Sequence, residues 1–370
     1  MDATTPGGNP VVPTHARTAP VDPTPTGVAS ADVRPVDPTP ADPTPADPTP
    51  ADPTPADPGR VGWAVGVDVG GTKVLAALLA ADGTVVATHR VPTVPGPDGL
   101  VAAVRTCVEV LTAEQGLAVA ALSGVGVGVP GVVDPVTGTV EHAVNVGVER
   151  PFALAAAVAA ALGGRVPVRV ENDLNAAVVG AAHTVDAHPA PRDLAFLALG
   201  TGVAAGLLLD GTLRRGARRA AGEVGHLTLV PDGLACGCGQ RGCVEQYASG
   251  SAVQAAWPAT DGRPAPVALF AAAAAGDPHA VAVRDRFAWA VAGAVRILVL
   301  TCDVDHVVLG GGVSGVGEPL LDAVRVELAR ETAVSPFLAS LRLAERVHLA
   351  PRDVPVGAVG AALVGRGEVV

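Results

Sequence analysis

The stretch EVGHLTLVPDGLACGCGQRGCVE, residues 223–245, gathers three of the chain's five cysteines with one histidine and two glutamates. Glu223-Val-Gly-His226 comes first, Cys236-Gly-Cys238 follows ten residues later, and Cys243-Val-Glu245 ends the run. Three thiolates and one imidazole make a full tetrahedral set with no position left for water. His226, Cys236, Cys238 and Cys243 therefore read as ligands of a structural Zn2+. Gly237, Gly239 and Gly242 let the chain wrap around the ion. Such a closed site contributes ~10–16 kcal/mol of apparent binding free energy to folding. It would also pin Glu223, His226 and Glu245, three polar groups suited to sugar hydroxyls. Three unrelated buried cysteines beside a histidine are a poor alternative at this density. Cys107 and Cys302 read as small core residues. An odd cysteine count with three crowded together suits a reducing compartment.

On either side of this segment the chain alternates between strands and helices. Trp63 to Val69, Val74 to Ala80 and Thr84 to Val91 read as three strands joined by tight turns. Leu100 to Leu111 has helical spacing. A strand at Gly124 to Val129, a helix at Phe152 to Leu162, a strand at Val166 to Val170 and a helix at Leu174 to His183 follow. The pattern then restarts with a hairpin-like pair, Leu194 to Leu199 and Ala204 to Leu209. Beyond the Cys/Gly-rich loop come longer helices around Pro278 to Cys302, a strand at Val307 to Leu309, and a helix at Pro319 to Arg330. A strand near Val347 and a final helix from Ala358 complete the pattern. Two sections thus each open with a β-hairpin layer and continue as α/β, which predicts two related lobes with a cleft between them.

Three Gly-rich turns directly follow strand ends. Asp68-Val-Gly-Gly-Thr-Lys73 offers free backbone N–H groups for a phosphate, and Asp68 a ligand for Mg2+. An ordinary hairpin turn fits that stretch equally well. Gly200-Thr-Gly202 and Gly310-Gly-Gly312 repeat the design, as a nucleotide gripped from two sides would require. Glu171-Asn172-Asp173 lies where a strand ends and a helix begins. Taken alone it is a helix N-cap; the chemical alternative makes Asp173 a general base for a sugar hydroxyl, with Asn172 fixing that sugar.

Together these residues resemble the ROK family of repressors and sugar kinases, over essentially all of residues 61–370. The Glu-x-x-His, Cys-x-Cys, Cys-x-Glu series is similar to that family's zinc and sugar motif. The resemblance implies an α/β, actin-like ATPase fold of two ribonuclease-H-like lobes with an interlobe cleft. Residues 61–172 would form the N-terminal lobe, closed by a C-terminal helix at about 355–370, and residues 173–354 the C-terminal lobe with the zinc loop. It implies an ATP- and Mg2+-dependent hexose kinase acting on C6 of glucose, or on an N-acetylated hexosamine or another hexose, as a homodimer or homotetramer. Asp173 would be the base, and Gly131, Asn145, Asn172, Asp173, Glu223, His226 and Glu245 would surround the sugar. Asp68, Gly70, Gly71, Thr72, Lys73, Gly200, Thr201, Gly202, Gly310, Gly311 and Gly312 would surround the nucleotide. Two departures stand out. The second phosphate loop continues with Ala204 and Ala205 where many members have glycines. Val144-Asn145-Val146-Gly147 lacks the Pro-Asn-Leu pattern of clear glucokinases.

Composition narrows the alternatives. Half of the 370 residues are apolar (49%), which allows a large core, but aromatics are only 2%, so the core must be aliphatic and no stacking platform for single-stranded nucleic acid is visible. A net charge of -11 argues against a nucleic-acid partner. No export signal and no apolar run of ~18 residues is present, which predicts a cytoplasmic protein without a membrane span. Residues 1–60 hold 16 of the 34 prolines in an Asp-Pro-Thr-Pro-Ala repeat, read as a disordered tether with polyproline II character. A sugar-responsive repressor would need a helix-turn-helix ahead of Val61, where only these repeats stand. A zinc ribbon would need paired Cys-x-x-Cys knuckles. A non-catalytic sugar binder is the remaining alternative, on account of Ala204 and Ala205.

Overall fold

The computed structural model describes residues 62–185 and 190–368; the expected proline-repeat tail, residues 1–60, lies outside them. Strands β1 (Ala64–Val69), β2 (Lys73–Leu79) and β3 (Val85–Pro92) form an antiparallel series. Helix α1 (Pro97–Glu114) crosses to β4 (Gly124–Val129), which pairs parallel with β1. Short strands β5 (Val132–Asp134), β6 (Thr139–Glu141) and β7 (Phe152–Ala153) make a separate three-stranded sheet. Helix α2 (Leu154–Ala161) returns the chain to β8 (Val168–Asn172), parallel to β4, and α3 (Asp173–Thr184) starts at the next residue.

The second half repeats the plan. Antiparallel β9 (Leu194–Leu199), β10 (Val203–Leu209) and β11 (Thr212–Leu213) come first. Helices α4 (Glu245–Ala248), α5 (Gly250–Ala256), α6 (Ala265–Ala274) and α7 (Pro278–Cys302) precede β12 (His306–Gly310). After α8 (Glu318–Ala333) and α9 (Pro336–Ser340), β13 (Val347–Leu349) pairs parallel with β12, and α10 (Val356–Arg366) ends the fold. The two large sheets have orders β3-β2-β1-β4-β8 and β11-β10-β9-β12-β13, the same topology twice. This is the two-lobe arrangement that the sequence pattern predicts. The three-stranded sheet and α4 to α6 are additions to it. Strands of two or three residues carry no readable alternation, and α6 is apolar on every face, so neither leaves a periodic signal. No described helix is long and apolar enough to cross a membrane.

Period-2 alternation explains how the layers stack. In β4, GVGVGV, the valines 125, 127 and 129 point into the cluster shared with α1 and α2. The glycines on the other face admit α10. A Cβ added to Gly126 would collide with the Ala361 carbonyl, one on Gly66 with the Ala358 carbonyl, and one on Gly124 with the Gly365 carbonyl. Helix α10 in turn meets α3 without intervening side chains: a Cβ on Gly360 would strike the Ala176 carbonyl, and one on Gly180 that of Val356. Beyond α3 lies the second sheet, whose Phe196, Leu208 and Val308 close this inner layer. The far face of the second sheet packs on α7 and α8.

Gly360→Ala places a methyl where backbone already stands. Overpacking of this kind costs about 1–3 kcal/mol, so the melting temperature should fall by about 3–10 °C. An unchanged thermal melt would show that the two helices have slack.

Candidate functional site

The end of β8 and the start of α3 carry the candidate base. Asn172 caps α3, its Oδ1 accepting the N–H of Leu174 (3.0 Å) and of Asn175 (3.3 Å). Its Nδ2 donates to the Gly131 carbonyl at 3.1 Å, so the cap and the turn after β4 are joined. The structural and chemical readings of this segment are therefore not exclusive. Gly131 has φ 99°, and a Cβ there would press on Glu141 and Ala143.

Asp173 and Asp68 face one cavity of about 620 Å³, lined also by Gly311, Gly312, Ser314, Arg352 and Gly357. Asp68 points there because it belongs to the same alternating face of β1 as Gly66, towards α10. Gly357, in the first turn of α10, comes so near that a Cβ on it would lie 2.8 Å from Oδ2 of Asp68. Burial pushes the Asp68 carboxyl up to about 7, with the Asp173 charge adding to the effect and Lys73 opposing it. Burial also raises Asp173, against the hydrogen bond that its Oδ1 accepts from the Leu174 N–H at 2.9 Å. Two carboxyls in one poorly solvated cleft are suited to receive a proton or a cation.

The Gly200-Thr201-Gly202 turn joins β9 to β10 and lies outside the lining of that cavity. Oε2 of Glu245 accepts the Val203 N–H at 3.0 Å, so this carboxylate rests directly on the turn. A Cβ on Gly202 would strike it. A second cavity, about 770 Å³, opens here between α5 and α7 and is lined by Thr201, Gly202, Glu245, Tyr247, His279 and Arg286.

Glu245 lies two residues beyond Cys243, the last member of a cysteine and histidine cluster. One ligand atom from each of His226, Cys236, Cys238 and Cys243 lies within 4.8 Å of all the others. Nδ1 of His226 is 3.8 Å from Cys236 Sγ, and the Cys238 and Cys243 sulfurs are 3.7 Å apart. The edge of a tetrahedron with Zn–S bonds of about 2.3 Å is about 3.8 Å, so the donor set and its spacing both fit zinc. The loop supports them independently. Gly242 has φ 71°, and its carbonyl accepts from the N–H groups of Leu229 and Val230. Gln246 Nε2 lies 3.4 Å from Cys236 Sγ.

The remaining candidates fall into place unevenly. Gly311 and Gly312 reach the Asp68 cavity, but Gly310 is buried, and a Cβ on it would enter the Phe196 ring. Gly71, Thr72 and Lys73 are exposed at the β1–β2 turn, with Gly70 half-buried beside them and its N–H bonded to the Lys73 carbonyl. The exposed Asn145 backs on to that turn, its carbonyl oxygen 3.5 Å from where a Gly71 Cβ would sit. Glu223 is exposed at the entry to the His226 turn. Ala205 is buried in the cluster joining β10 to α7, so its methyl points away from the cleft. Ala204 lies on the opposite face, in line with Gly206. Sequence reading missed Arg352, on the loop before α10, and Arg215, which pairs with Glu171. Neither has a local motif; each acts on residues distant in the chain.

The sequence profile of the ROK family matches residues 64–366. A glucokinase of Streptomyces coelicolor is 36% identical over 289 residues, covering 73% of this chain and 88% of the relative. An N-acetylmannosamine kinase of Citrobacter koseri is 34% identical over 309 residues, covering 82% and 98%. The crystal structure of a ROK family glucokinase from Streptomyces griseus, in complex with glucose and AMPPNP, aligns with a TM-score of 0.66 at 33% identity, over 83% of this chain and 100% of that one.

Because the Asp68 carboxyl titrates near 7 when folded and near 3.8 when unfolded, the folded chain binds its proton more tightly. The associated stability is complete below about pH 4 and is lost as pH rises through about 7. In buffer without magnesium, Asp68→Asn should therefore melt at least about 2 °C above the unsubstituted protein at pH 8, and the gap should shrink towards pH 5. A gap that does not vary with pH would mean that Asp68 titrates as an ordinary carboxyl.

Proposed function

Since the chain belongs to the ROK family, we propose that its cleft is that of an ATP-dependent hexose kinase transferring a phosphoryl group to C6 of glucose. The observation that carries this reading is the contact between Glu245 and the Gly200–Gly202 turn. It joins a loop rich in hydroxyl-binding groups, with its zinc-type donor set, to a turn suited to phosphates. A second reading concerns the acceptor alone. N-acetylmannosamine kinases are nearly as similar as glucokinases in identity, 34% against 36%, and Val144 to Gly147 lacks the glucokinase pattern, so an N-acetylated hexosamine is the alternative.

Phosphoryl transfer depends on positioning and charge neutralisation more than on covalent chemistry. Backbone N–H groups of Gly71 to Lys73 and of Thr201 and Gly202 hold the phosphates from two sides, those of Gly70 and Gly200 being taken up within their own turns, while Gly311 and Gly312 leave room for the nucleoside. Asn145, Asn172, Glu223, His226 and Glu245 orient the sugar, with the Gly131 backbone closing one edge. Asp173 accepts the hydroxyl proton, and its raised pKa brings it nearer to neutral pH, where a base of this kind works best. Asp68 would hold Mg2+, which when bound neutralises charge on the transferring group. His226, Cys236, Cys238 and Cys243 would hold Zn2+, which braces the loop and takes no part in the chemistry. The enzyme so described works in the cytoplasm as a homodimer or homotetramer and requires no nucleic acid.

A coupled ADP-release assay against hexoses and amino sugars tests the reading, and no turnover on any of them would end it. Asp173→Asn should lower kcat by about 10²–10⁴-fold with an unchanged fold, because the amide oxygen can still accept the Leu174 N–H; wild-type turnover would remove Asp173 from the role. Cys238 is exposed, so Cys238→Ser loses little packing. Loss of bound zinc together with a lower melting temperature is expected of it, and full zinc with an unchanged melt would contradict the ligand set.

A further inference from the structure

Glu171 is 1% exposed, and the chemistry above makes no use of it. Its Oε2 accepts both Nε and Nη2 of Arg215, each at 2.8 Å. Its Oε1 accepts the Asn172 backbone N–H at 3.0 Å and Asn175 Nδ2 at 2.8 Å. The carboxylate thus fixes the peptide before Asn172 and the first turn of α3 on one side, and Arg215 on the other. Arg215 opens a short loop that closes on itself, the Ala221 N–H donating to the Arg215 carbonyl at 3.3 Å. The same loop docks on β10 through the Ala205 N–H and the Gly222 carbonyl at 2.8 Å. Glu223 is the next residue, and His226 lies three further on.

Well-packed apolar residues commonly match or exceed the stability of a buried ion pair, so stability alone is a weak reason for one here. Two guanidinium N–H groups converging on one carboxylate oxygen instead hold the arginine to a narrower set of positions than a single ammonium would. We infer that Arg215 is a positioning residue: through its paired N–H contacts with Glu171 it holds the proton acceptor Asp173 in register with the sugar-side Glu223. The inference rests on the kinase reading.

The test compares Arg215→Lys and Arg215→Ala with the unsubstituted enzyme by steady-state kinetics, zinc content and thermal melting. Lysine keeps the charge but loses the converging N–H pair, so Arg215→Lys should fold with full zinc and lose about 10²-fold in kcat, as a misplacement of about 1 Å does. Its KM for ATP should stay within about twofold, because the donor turns are untouched. Added guanidinium ion should restore part of the activity of Arg215→Ala; if that variant does not fold, Arg215→Lys carries the test. A kcat for Arg215→Lys within about threefold of the original overturns the inference. So does a loss of activity that only follows the loss of folded protein and ignores guanidinium. An unsubstituted enzyme that phosphorylates no sugar sinks the kinase reading and this assignment with it, whereas an active enzyme indifferent to Arg215→Lys sinks this assignment alone.

Discussion

Backbone-to-backbone packing of α10 is the constraint on which the rest of the structure depends. Three glycines on one face of β1 and β4 let the helix lie against the sheet, and Gly180 and Gly360 let α3 lie against the helix. The valines of the same strands face the opposite way and make the outer core with α1. Close packing puts the first turn of α10 over Asp68 and the first residue of α3 in the same cavity. The cleft is therefore a product of layer spacing. Bulkier residues on the inner face would move both acids apart before altering any catalytic group.

Three carboxylates at the strand ends meet different fates for physical reasons. Glu171 is buried but accepts four hydrogen bonds, two of them from a cation. Asp68 and Asp173 are half-buried with little compensation, and their protonation equilibria shift upward. A group that is fully satisfied serves as a fixture. A group left short of partners remains free to take a proton or a metal ion, which is the condition that phosphoryl transfer places on its base and its cation ligand.

Much of this was legible in the sequence wherever the determinants are local. The cysteine and histidine cluster, the Gly-rich turns and the Asn172 cap each sit within a few residues, and spacing reveals them. The duplicated topology was legible too, because each half restarts with a hairpin pair. What stayed hidden depends on pairing across the chain. Arg215 meets Glu171 across 44 residues, and Glu245 meets Val203 across 42. Gly310 has a packing reason that its local sequence does not reveal: a Cβ on it would enter the Phe196 ring. Strands as short as β7 lie below the length at which alternation can be seen.

The scarcity of side chains between α3 and α10 has a mechanical corollary. Ordinary interfaces yield when rotamers exchange, but two backbones in contact have none to exchange. Relative displacement of the two sheets then has one low-energy route, a swivel about the helix crossing, as two rods turn on a shared bearing. Asp68 and Asp173 lie within about a turn of that bearing, so groups farther out on either sheet would travel more for the same rotation.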